Sequence, residues 1–184
     1  MRRVRDIASE GGAHSLAARS EWDAYFDAAY VDLSQELHLA QLYLDRLSRR
    51  ARGALATRII VDADTRTERA PALIVPKLLA VIDAISACAR SGRTIELEAW
   101  RDLGFLQIRL SAIAARLHAS DVANHPVVLW ASTRLERFYG EAAAIVCHQA
   151  AERVDIVVVI PLDAEPSDAQ RKGGAVLPFA PRRR

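Results

Sequence analysis

The sequence predicts a two-layer α/β sandwich, in which helices cover one face of a mixed, mostly antiparallel sheet of about five strands. Residues 70–90 form a predicted helix that is apolar around most of its circumference, so it should be covered on more than one side. Residues 94–111 alternate apolar and polar side chains around a turn at 101–104, which is typical of an antiparallel hairpin with one face in water. A helix laid across a hairpin leaves a groove between the layers where a ligand could lie.

The flanking elements follow from capping residues and periodicity. Asp32 is predicted to cap a helix that ends at Gly53, and Glu36 in its first turn suits the positive end of the helix dipole. Pro71 suits the first turn of the long helix, and Pro76 indicates that this helix either begins near residue 75 or bends there. The remaining predicted elements are strands at 57–64, 142–148 and 154–160 and a helix at 129–139.

The chain is predicted to divide into four parts. Residues 1–19 are polar and contain paired glycines, which indicates a flexible N-terminal arm. Residues 20–53 form a helical segment and residues 54–162 the sandwich domain. Residues 163–184 are rich in proline, glycine and charge, so we expect a disordered basic tail.

Composition excludes several classes of function. With 51% hydrophobic and 26% charged residues, the 184-residue chain is typical of soluble globular proteins. A formal charge of +2 is too small to indicate a nucleic-acid partner. No stretch reaches the ~20 apolar residues of a membrane helix, and the start MRRVRDIASEGG has no apolar run typical of a signal peptide. We therefore expect a cytoplasmic protein, in which Cys88 and Cys147 are buried, inert thiols.

Three stretches carry a family resemblance. They are VDLSQELHLAQLYLDRLSRR, PALIVPKLLAVIDAISACARSGRTIELEA and LWASTRLERFYGEAAAIVC, in that order, followed by the closing strand IVVVIPL. They resemble the linker helix, the Leu-Gln-Pro-Leu-Val-Glu-Asn-Ala helix and the Gly-Leu-x-Asn-x-x-x-Arg-Leu-x-x-x-Tyr-Gly segment of LytS-type sensor histidine kinases. The third stretch retains Arg134, Leu135, Tyr139 and Gly140. The resemblance covers residues 31–162 and implies the Bergerat (GHKL) ATP-binding fold of a bacterial two-component protein.

The departures from this family pattern concern the nucleotide pocket. In the family, the helix Asn holds magnesium and the neighbouring Glu activates water or a hydroxyl group; aligned on Pro76, these positions are Ala80 and Leu79. Neither side chain offers the oxygen that a hard cation requires. The nearest carboxylate is that of Asp83. The family's Asp-x-Gly-x-Gly motif falls on residues 111–115, which hold no glycine.

The glycines that a phosphate-wrapping loop needs are also missing, because none occurs between Gly104 and Gly140. We therefore expect neither ATP nor magnesium to bind, and no catalytic or metal-ligating residue. The degenerate pocket positions are Leu79, Ala80, Asp83, Ser111, Ile113, Trp130 and Arg134.

The resulting hypothesis is a non-catalytic, pseudokinase-like domain that acts as a protein-interaction or regulatory module in two-component-type signalling. Its expected partner is a histidine kinase, a response regulator or a second copy of the chain. An aromatic group is the candidate contact surface, with packing on the domain's own core as the alternative. This group is Trp22, Tyr25, Phe26 and Tyr30.

Two alternatives remain open. One is a divergent ATP-binding histidine kinase or phosphotransferase, and the other is a small-molecule sensor that uses the emptied groove, lined by Ala80, Ala84 and Ile113. His38 is the candidate phosphoacceptor on the polar side of its helix, although a solvated helix histidine is the favoured interpretation. The other histidines show no metal-ligand spacing.

Overall fold

A computed structural model of the protein describes residues 30–52, 54–87, 93–113 and 119–162. The helices are α1 (Leu33–Ala51), α2 (Ile74–Ser86), α3 (Ala119–Ala123) and α4 (Pro126–Tyr139), and the strands are β1 (Tyr30–Asp32), β2 (Leu55–Val61), β3 (Arg69–Pro71), β4 (Arg93–Asp102), β5 (Phe105–Ile113), β6 (Ala144–Ala150) and β7 (Arg153–Pro161). The predicted arm, the tail and the predicted contact residues Trp22, Tyr25 and Phe26 lie outside the described residues. The four-part division of the chain stays a prediction.

The main sheet has five strands in the order β2-β4-β5-β7-β6. Strand β2 runs parallel to β4, and the other three pairs are antiparallel. This confirms the predicted mixed, mostly antiparallel sheet and its hairpin. A separate two-stranded ribbon, β1 with β3, was not predicted, because strands of three residues are too short to show a period of two.

One face of the main sheet packs against the helices. The inward side chains of β4, β5 and β7 share a single hydrophobic core with α1, α2 and α4. Helix α2 is the central helix: it contacts α1, α4, β4 and β5, as its nearly continuous apolar surface predicted. The opposite sheet face carries ion pairs, including Glu98 with Arg109 and Glu96 with Arg153, so the predicted water-facing side is also confirmed.

At the start of α1, the predicted position of the N-cap is right, but the predicted capping hydrogen bond is not formed. Asp32 does stand at the N-cap, but its side chain makes no capping hydrogen bond. The first amide groups of α1 instead donate to main-chain carbonyls of the 66–68 turn, from Leu33 to Glu68 (2.7 Å) and from Ser34 to Arg66 (3.0 Å). A tertiary contact therefore satisfies the donors that a capping side chain would otherwise bind.

Element boundaries differ from the predictions where side chains form local turns. Strand β2 ends at residue 61, because the Thr65 hydroxyl and amide both donate to the Asp62 carbonyl, at 2.6 and 3.1 Å. Pro71 lies in β3, and α2 begins three residues later with Pro76 in its first turn. Helix α4 begins at Pro126, where the Nδ1 atom of His125 caps it by accepting from the Val127 amide at 3.2 Å.

The β4–β5 turn offers a stabilising substitution. Leu103 and Gly104 both have positive φ, at 47° and 83°, and Leu103 is 92% exposed. Leucine is strained in this left-handed region, whereas Asn-Gly is the preferred pair for a two-residue hairpin turn. Leu103→Asn is expected to raise the free energy of unfolding by about 0.5–1 kcal/mol. Urea unfolding measures this, and a stability equal to or below that of the unmodified chain would contradict it.

Candidate functional site

Leu79 and Ala80, the two positions of α2 that the family resemblance singles out, face opposite sides of the helix. Leu79 is fully buried in the core, while Ala80 is exposed on the other side of the helix. Ala80, Ala84 and Lys77 all lie on this exposed side, at the three- and four-residue spacing of neighbours on a helix surface. The outer side of α2 therefore offers two methyl groups and one ammonium group.

Trp130 on α4 lies beside this part of α2. The Lys77 ammonium nitrogen is 3.7 Å from the centroid of the Trp130 indole ring, a close cation–π contact. The central guanidinium carbon of Arg134 lies 5.6 Å from the same centroid and 5.3 Å from that of Phe138. The half-buried indole is thus close to one cation from α2 and one cation from α4. Sequence reasoning missed Lys77, since pairing between two helices leaves no periodic signal.

The carboxylate of Asp83 faces α1 and β4. It forms an ion pair with Arg93 and accepts a hydrogen bond of 3.2 Å from the Tyr43 hydroxyl group on α1. Arg93 also donates to the Ser86 hydroxyl at 3.0 Å. Burial, and next the nearby Asp83 charge, raise the pKa of Tyr43. Asp83 therefore links α1, α2 and β4, because one of its carboxylate oxygens binds Arg93 and the other binds Tyr43.

Ser111 and Ile113 lie on the side of the sheet away from the helices. The strand alternation turns Ala112 into the helix-side core and Ser111 to the opposite face, where its hydroxyl oxygen accepts from Arg153 at 2.8 Å. Arg153 also pairs with Asp155 (2.8 Å) and Glu96 (3.2 Å). Ser111 and Ile113 line a shallow cavity of about 330 Å³ there. The structure thus separates Ser111 and Ile113 from the α2–α4 surface that holds Ala80 and Trp130.

Tyr30, the described member of the predicted contact group, packs on the domain itself. Its ring meets Phe138 edge-on, with centroids 4.5 Å apart, and Tyr139 at 6.1 Å. For Tyr30 the structure thus shows packing against α4, the alternative considered for these aromatics. His38 lies on the exposed side of α1, His125 caps α4, and His148 is exposed on β6.

This aromatic cluster predicts sensitivity to alkaline pH. Burial raises the pKa of Tyr30 and raises that of Tyr139 from 10.0 to about 12. In the unfolded chain the Tyr139 phenol ionises near pH 10, whereas in the folded state it stays neutral until about pH 12. The folded state therefore has its full stability below pH 10 and loses part of it as the pH rises to 12. We expect the free energy of unfolding to fall across this range and to fall less steeply in Tyr139→Phe. Urea titrations at several pH values test this, and equal slopes for both proteins would contradict it.

Glu36 is a further residue whose role the sequence did not show. Its side chain is fully buried, and its two carboxylate oxygens accept from the amides of Leu73 (2.7 Å) and Val75 (2.8 Å). These amides belong to the start of α2, so the anion meets the positive end of a neighbouring helix. Glu36 was predicted to act on its own helix; it instead fixes α2, and with it Lys77 and Ala80, against α1.

Among the described residues, no group of three His, Cys, Asp or Glu side chains is arranged to hold a metal ion. Burial raises the pKa of the half-buried Cys147 thiol, which disfavours the reactive thiolate. Cys88 lies outside the described residues.

In the part of the chain that the structure describes, no helix is both long and apolar enough to cross a membrane.

Comparison with known proteins identifies the fold. No protein-family model matches the sequence, and the search of curated proteins found no relative. Among solved structures, the catalytic domain of histidine kinase ThkA superposes with a TM-score of 0.58 at 9% identity, covering 75% of this chain and 97% of that domain. The chain has the fold of a histidine kinase catalytic domain.

Two further structures, one of another kinase and one of a longer ThkA chain, agree. The Acinetobacter baumannii histidine kinase AdeS aligns with a TM-score of 0.55 at 9% identity, over 89% of this chain and 88% of that one. ThkA in complex with the response regulator protein TrrA aligns with a TM-score of 0.51 at 9% identity, over 88% of this chain. The present chain spans about half, 53%, of that longer ThkA chain. At these identities the likeness concerns the fold.

Proposed function

We propose that this chain is a non-catalytic domain of LytS-type histidine kinase ancestry, which acts in two-component-type signalling by binding another protein. The observation that carries the proposal is the identity and placement of residues 79 and 80 on α2. At the two positions where the family resemblance implies an Asn for magnesium and a Glu for catalysis, this chain has exposed Ala80 and core Leu79. A cytoplasmic location is part of the proposal.

The surroundings of Ala80 support it. Magnesium is held by oxygen ligands in near-octahedral geometry, usually with carboxylates and substrate phosphates. The nearest carboxylate on α2, that of Asp83, is bound to Arg93 and Tyr43. The neighbouring side chains, Lys77 and Trp130, contribute an ammonium group and an indole ring. An ammonium group repels a divalent cation, so this surface does not favour magnesium.

The proposed partner is a response regulator or a histidine kinase, with a second copy of the chain as the remaining candidate. Support comes by analogy from ThkA, which has been solved in complex with the response regulator protein TrrA. Fold analogy alone does not give function, so the partner has to be tested directly.

The test is pairwise. The purified chain is titrated against purified response regulators and histidine kinases of its own cell, and binding is followed by fluorescence anisotropy. We expect saturable binding to at least one of them and no transfer of the γ-phosphate of Mg·ATP to the chain or to any partner. Phosphate transfer would contradict the proposal and favour the divergent kinase.

A further inference from the structure

A cationic and aromatic surface extends from α2 to α4. We call it the α2–α4 face and define it by Lys77, Trp130, Arg134 and Arg137. On α4, Arg134 and Arg137 follow Trp130 by four and seven residues, a spacing that places these three side chains on one side of the helix. Lys77 joins them from α2 through its 3.7 Å contact with the indole ring.

The charge of this face is positive. Lys77, Arg134 and Arg137 contribute three cations, while Glu136 is the one acidic residue within α4. The one acidic side chain within α2, Asp83, is bound to Arg93 and Tyr43 near α1. An anionic ligand therefore meets a net attraction here, which salt will weaken.

The face also carries apolar surface, and this surface is longer than a lone phosphate ion could cover. The exposed methyl groups of Ala80 and Ala84 follow Lys77 at successive turns of α2, so apolar surface extends from the Trp130 indole ring along this helix. Tryptophan and arginine are the residues that most often dominate the energy of protein interfaces, typically with an apolar centre and a charged rim. Trp130 and its flanking cations have this composition.

We propose that the α2–α4 face binds an acidic segment of a partner protein. The apolar strip from Trp130 to Ala84 would receive the segment's apolar side chains, and the cations at its edge, Lys77 and Arg137, would attract its carboxylates. The inference rests on the proposed function, because it assigns a protein segment to the surface that a nucleotide would otherwise use. Nucleic acid is the less favoured ligand, since three cations and a formal charge of +2 provide few phosphate contacts.

The experiment uses the fluorescence of Trp130 in the full chain, with Trp22→Phe and Trp100→Phe removing the other two indoles. The cations of the α2–α4 face would recognise charge and not one particular sequence, so a generic probe suffices. The probe is a peptide of roughly a dozen residues that alternates Glu or Asp with Leu. A second peptide replaces its acids with lysine. Mg·ATP and a single-stranded oligonucleotide are titrated in parallel.

We expect the acidic peptide to change Trp130 fluorescence saturably, less at high salt, and the lysine peptide to have no effect. Arg137→Glu should weaken the affinity roughly fivefold to tenfold, since it reverses a charge on the rim. Arg58→Glu makes the same charge change at an exposed position of β2 and serves as the matched control, with an affinity expected to be unchanged.

The inference is overturned if the acidic peptide has no effect, if the lysine peptide binds equally well, if both variants lose affinity equally, or if the oligonucleotide binds more tightly. A saturable response to Mg·ATP has a separate meaning, because it would contradict the proposed function itself. Failure of the peptide without a response to Mg·ATP would contradict only the assignment of this face.

Discussion

Replacing Leu79 with glutamate is expected to unfold the domain or to lower its free energy of unfolding by about 4 kcal/mol or more. The substitution introduces the residue type that the family resemblance implies at this position, but here the side chain lies fully buried in the core. A carboxylate placed there would leave water for a cluster of apolar side chains, and the cost approaches the whole stability of a typical domain. Circular dichroism and urea unfolding measure the loss.

The matched control is Ala80→Glu, one residue along the same helix on its exposed side. It introduces the same charge and should change the free energy of unfolding by less than about 1 kcal/mol. Leu79→Ala, which removes buried volume without adding charge, should cost about 3 kcal/mol. Equal stability of the Leu79→Glu and Ala80→Glu proteins would contradict the structure's assignment of these two faces.

Removing the Glu36 side chain is expected to be the second largest effect. Glu36→Ala leaves the amides of Leu73 and Val75 without their acceptors in a buried site, and should lower the free energy of unfolding by about 2–4 kcal/mol. Glu36→Gln should cost less, because its amide oxygen can still accept one of the two hydrogen bonds. Urea unfolding of both variants provides the measurement.

Glu152→Ala is the control for this series, since Glu152 is exposed in the turn between β6 and β7. It should remain within about 0.5 kcal/mol of the unmodified protein. A Glu36→Ala protein as stable as Glu152→Ala would show that the buried carboxylate does not fix the start of α2.

The parts of the fold that the sequence predicted depend on local periodicity. The β4–β5 hairpin follows from a period of two and a turn containing Gly104, and the central place of α2 follows from its nearly continuous apolar surface. The β1–β3 ribbon and the carbonyl caps of α1 depend on contacts between segments distant in the chain. Such contacts leave no pattern within either segment.

In the candidate site, too, local periodicity predicted some features, whereas contacts between distant segments were not predicted. The alternation that predicted the hairpin also groups Ser111 with Gln107 and Arg109 on the water-facing side, so its distance from α2 was available as a signal. The Lys77–Trp130 contact and the Asp83–Arg93–Tyr43 group were not, because each joins separate elements through side chains alone.

The proposal that this chain binds no nucleotide is tested most directly by thermal unfolding of the chain with Mg·ATP and Mg·ADP. A ligand that binds only the folded state must stabilise it, by about 2.7 kcal/mol at a hundred times its Kd, which is several degrees in Tm for a domain of this size. We predict that the Tm stays constant as either nucleotide is raised to millimolar concentration. A saturable, magnesium-dependent rise of several degrees would contradict the account.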